Sequence, residues 1–310
     1  MVWSCLVSIL PGMAQTEKLT DYVNPFVGTD GYGNVYPGAQ IPFGGIQISP
    51  DTDSRFYDAA SGYKYNHLTL MGFSLTHLSG TGIPDLGDFL FIPGTGEMKL
   101  EPGTHEDPDQ GYRSRYSHDK EWASPNYYAV ELADYGVKAE MTSGVRSGMF
   151  RFTYPESDNA FIMIDMNHTL WQSCEWSNLR MINDSTITGY KLVKGWGPER
   201  HVYFTATFSK KLTGLRFVQD KKPVIYNTSR FCSSYEAWGK NLMACISFDT
   251  KAGEEVIVKT AISSVSTNGA KNNMAELAGL AFDDLKAKGE ALWEKELGKY
   301  TLTADRKTKR

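Results

Sequence analysis

The chain has 310 residues, 41% apolar and 13% aromatic, enough for a large core, and its formal net charge of −4 offers no basic surface for nucleic acid. No stretch approaches the roughly 20 apolar residues of a membrane-spanning helix. Four cysteines (Cys5, Cys174, Cys232 and Cys245) show no CxxC spacing, which argues against a zinc or redox motif and leaves a disulfide open.

The opening "MVWSCLVSILPGMAQ" is apolar and places Gly12 and Ala14 just before Gln15, the pattern of a secretory signal's end. It lacks a basic n-region. Residues 1–14 therefore read as an incomplete signal segment of an exported protein, with its start upstream; the alternative is an ordinary apolar tail. Cys5 sits too near the start for a lipoprotein cleavage site.

Residues 20–266 read as strands and turns. In "HVYFTATFS", Val202, Phe204, Ala206 and Phe208 alternate with His201, Tyr203, Thr205 and Thr207, the period of a half-buried strand. "GMFRFTY", "AFIMIDM", "STITGYKLV", "LMACISF" and "EEVIVKTAI" are similar runs, punctuated by Gly, Pro, Asn and Asp. More than a dozen such strands without intervening helices predict a mainly β fold, a large antiparallel β-sandwich or supersandwich. From 268 to 297 the period changes. Met274, Leu277, Ala278, Ala281, Leu285 and Leu292 fall near helical spacing, Thr267 or Asn268 can cap the start, and Gly298 follows the end. Gly279 and Gly289 either cost stability or break the segment in two. Residues 267–300 thus form a C-terminal helical linker, with an apolar face that awaits a partner, and 301–310 are a charged tail.

Chemistry is not locally declared. "THLSGTGIPDLGDFLF" carries His77, Asp85 and Asp88, the hydroxyls of Ser79 and Thr81, and Gly80, Gly82 and Gly87. Such a loop either binds sugar hydroxyls or an anion, or is a turn whose side chains cap their own backbone; spacing leaves both open. It lacks the Lys of a P-loop. "DTDSRFYDAASGYKY" sets Tyr57, Tyr63 and Tyr65 near Asp51, Asp53 and Asp58, the mixed lining of a sugar site or a Tyr-rich surface loop. In "DMNHTLWQSCEWS", Trp171 and Trp176 make a stacking platform or, more commonly, core. Glu199 and Arg200 can pair with each other. No GxSxG elbow supports Ser–His–Asp catalysis.

Taken together, "YVNPFVGTDGYGNVYPGAQIPFGGIQISPDT", "SGYKY", "GFSLTHLSGTGIPDLGDFLFIP" and "GWGPERHVYF" resemble the N-terminal half of glycoside hydrolase family 92. The helical stretch from "AISSVSTNGAKNN" onward is similar to the family's linker. The resemblance covers residues 22–300. It implies a calcium-dependent, inverting exo-α-mannosidase acting on mannose-containing glycans, built as a β-sandwich, bridging helices and an (α/α)6 catalytic barrel. The carboxylates and the calcium ligands are implied in the barrel, so this chain is expected to carry half a site, as a fragment or split gene. His77, Ser79, Thr81 and Asp85 would line the terminal-mannose pocket, Gly80 and Gly82 would shape the loop, and Tyr57 or Asp58 would touch the next sugar. Leu75 replaces a His common in the family, and Tyr57, Asp58, Ala59 and Ala60 replace a usual Trp–Cys stretch, which puts linkage preference in doubt. The rivals are a stand-alone carbohydrate-binding module and a purely structural sandwich.

Overall fold

The computed structural model describes residues 17–54, 57–225 and 235–301. The signal segment, Cys5, Cys232, the tail from 302 and the Asp58 side chain lie outside the described residues.

The alternating runs fold as antiparallel sheets. A nine-stranded sheet runs, in spatial order, Glu236–Gly239, Ser173–Asn183, Thr186–Lys194, Arg200–Phe208, Glu254–Ser263, Ser147–Tyr154, Val137–Ser143, Tyr127–Leu132 and Glu121–Ser124. A seven-stranded sheet includes Ser49–Asp51, Gly72–Ser74, Leu90–Thr95, Ser157–Asp165 and Leu242–Thr250 as consecutive neighbours. The main core lies between them. Val202, Phe204, Ala206 and Phe208 are all buried, as their alternation predicts. Phe204 of the larger sheet meets Phe89 at 4.5 Å and Phe91 edge-on at 6.3 Å. Each fully buried ring of this kind is worth about 1.5–3 kcal/mol. Cys174 and Cys245 are buried free thiols, and burial pushes the Cys245 thiol up to about 11, so both act as small core residues.

The helical stretch is two helices, Thr267–Asn273 and Phe282–Leu297, joined by a 3-10 turn at Met274–Leu277. The cap falls one residue earlier than predicted: Ser266 Oγ accepts the Gly269 N–H at 3.0 Å. The chain leaves the helical region at Ala278 and restarts where Asp284 Oδ2 accepts the Ala281 N–H at 2.9 Å. Gly289 lies inside the second helix, where Asn126 packs too close for a side chain: a methyl group there would stand 1.8 Å from Asn126 Nδ2.

The sandwich buries part of the linker's apolar side, whereas Ala278, Ala281 and Leu292 of the predicted face stay exposed. Leu277, Phe282 and Leu285 pack with Met149 of the nine-stranded sheet. Arg151 lies 4.4 Å above the Phe282 ring, and the Trp293 indole N–H donates to the Gln40 carbonyl at 2.7 Å.

Candidate functional site

Residues 76–88 leave the seven-stranded sheet after Gly72–Ser74 and return to it at Leu90–Thr95. The root of this loop is laddered: the Leu75 N–H donates to the Asp88 carbonyl and the Gly87 N–H to the Thr76 carbonyl, both at 2.8 Å. Beneath it lie two fully buried carboxylates. Asp51 receives His77 Nε2 at 2.9 Å and His168 Nε2 at 2.8 Å. Asp88 meets Lys191 Nζ at 3.1 Å and Arg200 at 2.5 Å, and accepts the Thr76 hydroxyl at 2.7 Å. Lys191 also donates to the His168 carbonyl at 2.6 Å, joining the two clusters. Burial alone would push both acids up. For Asp51 the imidazoles of His77 and His168 outweigh burial, and for Asp88 the Lys191 and Arg200 cations do; each is held well below the usual carboxylate range.

The tip is different. Ser79, Gly80 and Gly82 are exposed. Gly80 donates its N–H to the Asn34 carbonyl at 2.7 Å, and Thr81 Oγ1 donates to the Ile83 carbonyl at 3.0 Å. Tyr57, 59% exposed, stands beside them: a methyl group on Gly82 would lie 3.9 Å from its ring. Asp85 is buried and ties the loop to its neighbours, accepting the Leu86 N–H at 2.6 Å and the Trp196 N–H at 3.3 Å. A cleft of about 730 Å³ lies between this loop and the first linker helix, with Thr76, His77, Arg146, Arg200 and Asn273 among its walls.

The structure thus brings Tyr57, Ser79, Thr81 and Gly82 to one exposed place. His77, with Nδ1 also 2.8 Å from the Gln47 carbonyl oxygen, and Asp85 sit behind it. Asp51 and Asp53 are buried rather than turned to solvent, and Tyr63 donates its hydroxyl to Glu121 inside the protein at 2.9 Å. Arg200 pairs with Asp88 rather than with Glu199. Trp171 and Trp176 are 64% and 46% exposed, the reverse of the commoner core fate.

Lys191 belongs to no motif in the sequence. Its signal was phase: it shares the core side of its strand with Ile187 and Val193, and a lysine there needs a buried acid.

Calcium takes six to eight oxygen donors. The carboxylates of Asp51 and Asp88 are engaged by imidazoles and cations, and Asp85 by backbone N–H groups, so this donor set does not fit that ion. Likewise no group of three or more His, Cys, Asp or Glu side chains suited to a metal occurs among the described residues. What the tip can do is hydrogen-bond and stack.

The profile of the glycosyl hydrolase family 92 N-terminal domain matches residues 22–263. The chain is 96% identical to a family GH92 alpha-mannosidase of solved structure from Bacteroides thetaiotaomicron, over 96% of this chain and 40% of that one, with a TM-score of 0.93. A second structure of that enzyme is a complex with mannoimidazole. A gh92 family glycosyl hydrolase, ccman5, is 27% identical over 93% of this chain and 38% of its own, with a TM-score of 0.78. An uncharacterized secreted glycosidase from Arthroderma benhamiae is 30% identical over 139 residues, 44% of this chain and 17% of its own. The chain therefore spans about two fifths or less of the length of these relatives. On the match of residues 22–263, the chain belongs to glycosyl hydrolase family 92, and that stretch is the family's N-terminal domain.

Proposed function

We propose that this chain is the sugar-gripping wall of an exported exo-α-mannosidase whose proton-transferring carboxylates lie outside it, in an (α/α)6 catalytic domain. The observation that carries the reading is the state of the buried acids under the loop. A general acid needs its carboxyl pushed up, whereas Asp51 and Asp88 are held ionised. Inversion further requires two carboxyls roughly 6.5–9.5 Å apart across the scissile bond. Both are assigned to the catalytic domain, and calcium to donors there; no step here runs through that ion.

In this reading the Ser79 and Thr81 hydroxyls and the Gly82 backbone meet the terminal mannose, with Tyr57 toward the next sugar. His77, Asp85 and the turn at Gly80 fix the loop's shape from behind. Holding a substrate in register contributes much of a rate enhancement once the chemical groups are present. The mannoimidazole complex of the 96%-identical enzyme supports a mannose-shaped ligand, and the secreted relative supports export.

The test is turnover of an aryl α-mannoside with calcium. The purified chain is expected to give none, and addition of a separately expressed (α/α)6 domain to restore it. Turnover by the chain alone would overturn the placement of the carboxylates. The exposed ring of Tyr57 also favours a second reading, a stand-alone carbohydrate-binding module. That reading predicts mannoside affinity which the added domain does not change.

A further inference from the structure

The nine-stranded sheet has an outer face that the linker helices cover only in part. Its register defines a row across the uncovered strands. Asn178 pairs with Trp238 on one side and Tyr190 on the other, and Tyr190 pairs with Tyr203. One step along, Trp176 pairs with Leu192, and Leu192 with His201. Residues directly opposite share a face, and diagonal neighbours such as Trp176 and Trp238 lie about 7–8 Å apart.

These rings are open to solvent or nearly so: Trp176 is 46% and Trp238 54% exposed. Tyr190 and Tyr203 have centroids 4.8 Å apart, and the Tyr190 hydroxyl stands 3.0 Å from His201 Nδ1. The row does not end blindly. The hairpin joining Thr186–Lys194 to Arg200–Phe208 carries Trp196, 65% exposed, whose backbone N–H reaches Asp85 of the 76–88 loop. His201 itself lines the cleft beside Thr76 and Leu78.

Charge narrows the ligand. Arg180 faces Glu236 at 4.0 Å and Lys240 faces Glu175 at 3.4 Å, so opposite charges are interspersed and no single-sign field invites a polyanion or polycation. Indole and phenol rings offer an apolar face with a polar edge. A pyranose offers the complement, an apolar C–H face ringed by hydroxyls.

We propose that this outer face is a platform for the distal residues of a neutral oligosaccharide whose terminal sugar lies at the 76–88 loop. The inference rests on the sugar-wall reading above and extends it to ligand length. It makes Trp176 and Trp238 determinants of chain-length preference.

The 310-residue chain, titrated calorimetrically with methyl α-mannoside and with a linear α-mannopentaose, tests it. The pentaose is expected to bind roughly tenfold tighter, the scale of one ring contact. The double variant Trp176→Ala/Trp238→Ala is expected to lose that gain while keeping its melting temperature and its affinity for methyl α-mannoside; Phe at both positions should restore much of it. A pentaose no tighter than the monosaccharide, or a double variant indistinguishable from the parent, overturns the platform alone. If neither ligand binds, the sugar-wall reading falls with it. If the parent sediments as a dimer that the double variant dissolves, the face joins two copies and the proposal is wrong.

Discussion

At the root of the 76–88 loop, Asp88 is fully buried between Lys191, Arg200 and Thr76; at its tip, Ser79, Gly80 and Gly82 stand in solvent beside Tyr57. The two ends of one short stretch answer to different physics. The root is a desolvated charge cluster, in which every polar atom needs its partner and loss of one leaves another stranded. The tip makes few contacts of its own, so it can change without unfolding anything and is available to a ligand. A motif that reads as a single functional unit is thus a structural anchor below and, in the proposed function, a binding surface above.

The sharpest way to break this comparison is Asp88→Ala. Lys191, with no exposed side-chain surface, would be left without its carboxylate. Loss of one partner from a buried pair costs about 3–5 kcal/mol. A shift of the urea midpoint that small surface substitutions also produce would show that the root is not an anchor. The pH profile probes the same cluster more gently. The carboxyls of Asp51 and Asp88 titrate lower in the folded protein than the value of about 3.9 expected when unfolded. Below that value the unfolded chain binds protons that the folded chain refuses. Their contribution is therefore complete above about pH 5 and lost as pH falls below about 4, at up to about 1.4 kcal/mol per pH unit for each group. Denaturant midpoints measured from neutral pH downward check this, and Asp88→Asn should flatten the acid limb.

Two glycines place root and tip side by side. Both have left-handed backbones, φ +76° at Gly87 and +74° at Gly80. A methyl group on Gly87 would stand 2.7 Å from Leu170 Cγ and 2.9 Å from its backbone nitrogen, while one on Gly80 would meet nothing within 4 Å. Gly80→Ala carries only the conformational cost, about 1–2 kcal/mol. Gly87→Ala adds overpacking, for a total of about 2–4 kcal/mol. Thermal melts that rank them the other way would contradict the division.

Much of the fold was legible in sequence because strand alternation is a local signal: the period of Val202, Phe204, Ala206 and Phe208 fixes which face is apolar wherever the strand ends up. The root of the site was not legible, because its partners are distant in the chain. Asp88 and Arg200 are 112 residues apart, and Arg200 sits next to Glu199, the local partner it does not use. The choice between platform and core for Trp176 stays open in the sequence for a related reason. Periodicity assigns a residue to a face but says nothing about what covers that face, and here only part of the outer sheet is covered, by the linker helices. The tip was legible as chemistry, through its glycines and hydroxyls, though its neighbour Tyr57 joined it only through the fold.

The smallest expected stability change belongs to the tip, and it separates binding from folding most cleanly. Tyr57 is 59% exposed, so Tyr57→Ala should move stability by no more than about 0.5 kcal/mol. A ring that stacks on a sugar would nonetheless take mannoside affinity with it, roughly tenfold. Chelation gives the matching control. Because the buried acids at this end are engaged by imidazoles, Lys191 and Arg200, EDTA should leave the melting temperature of this chain unchanged. A fall on chelation would mean that an ion, rather than those cations, holds the root together, and the separation of anchor from binding surface would fail at its base.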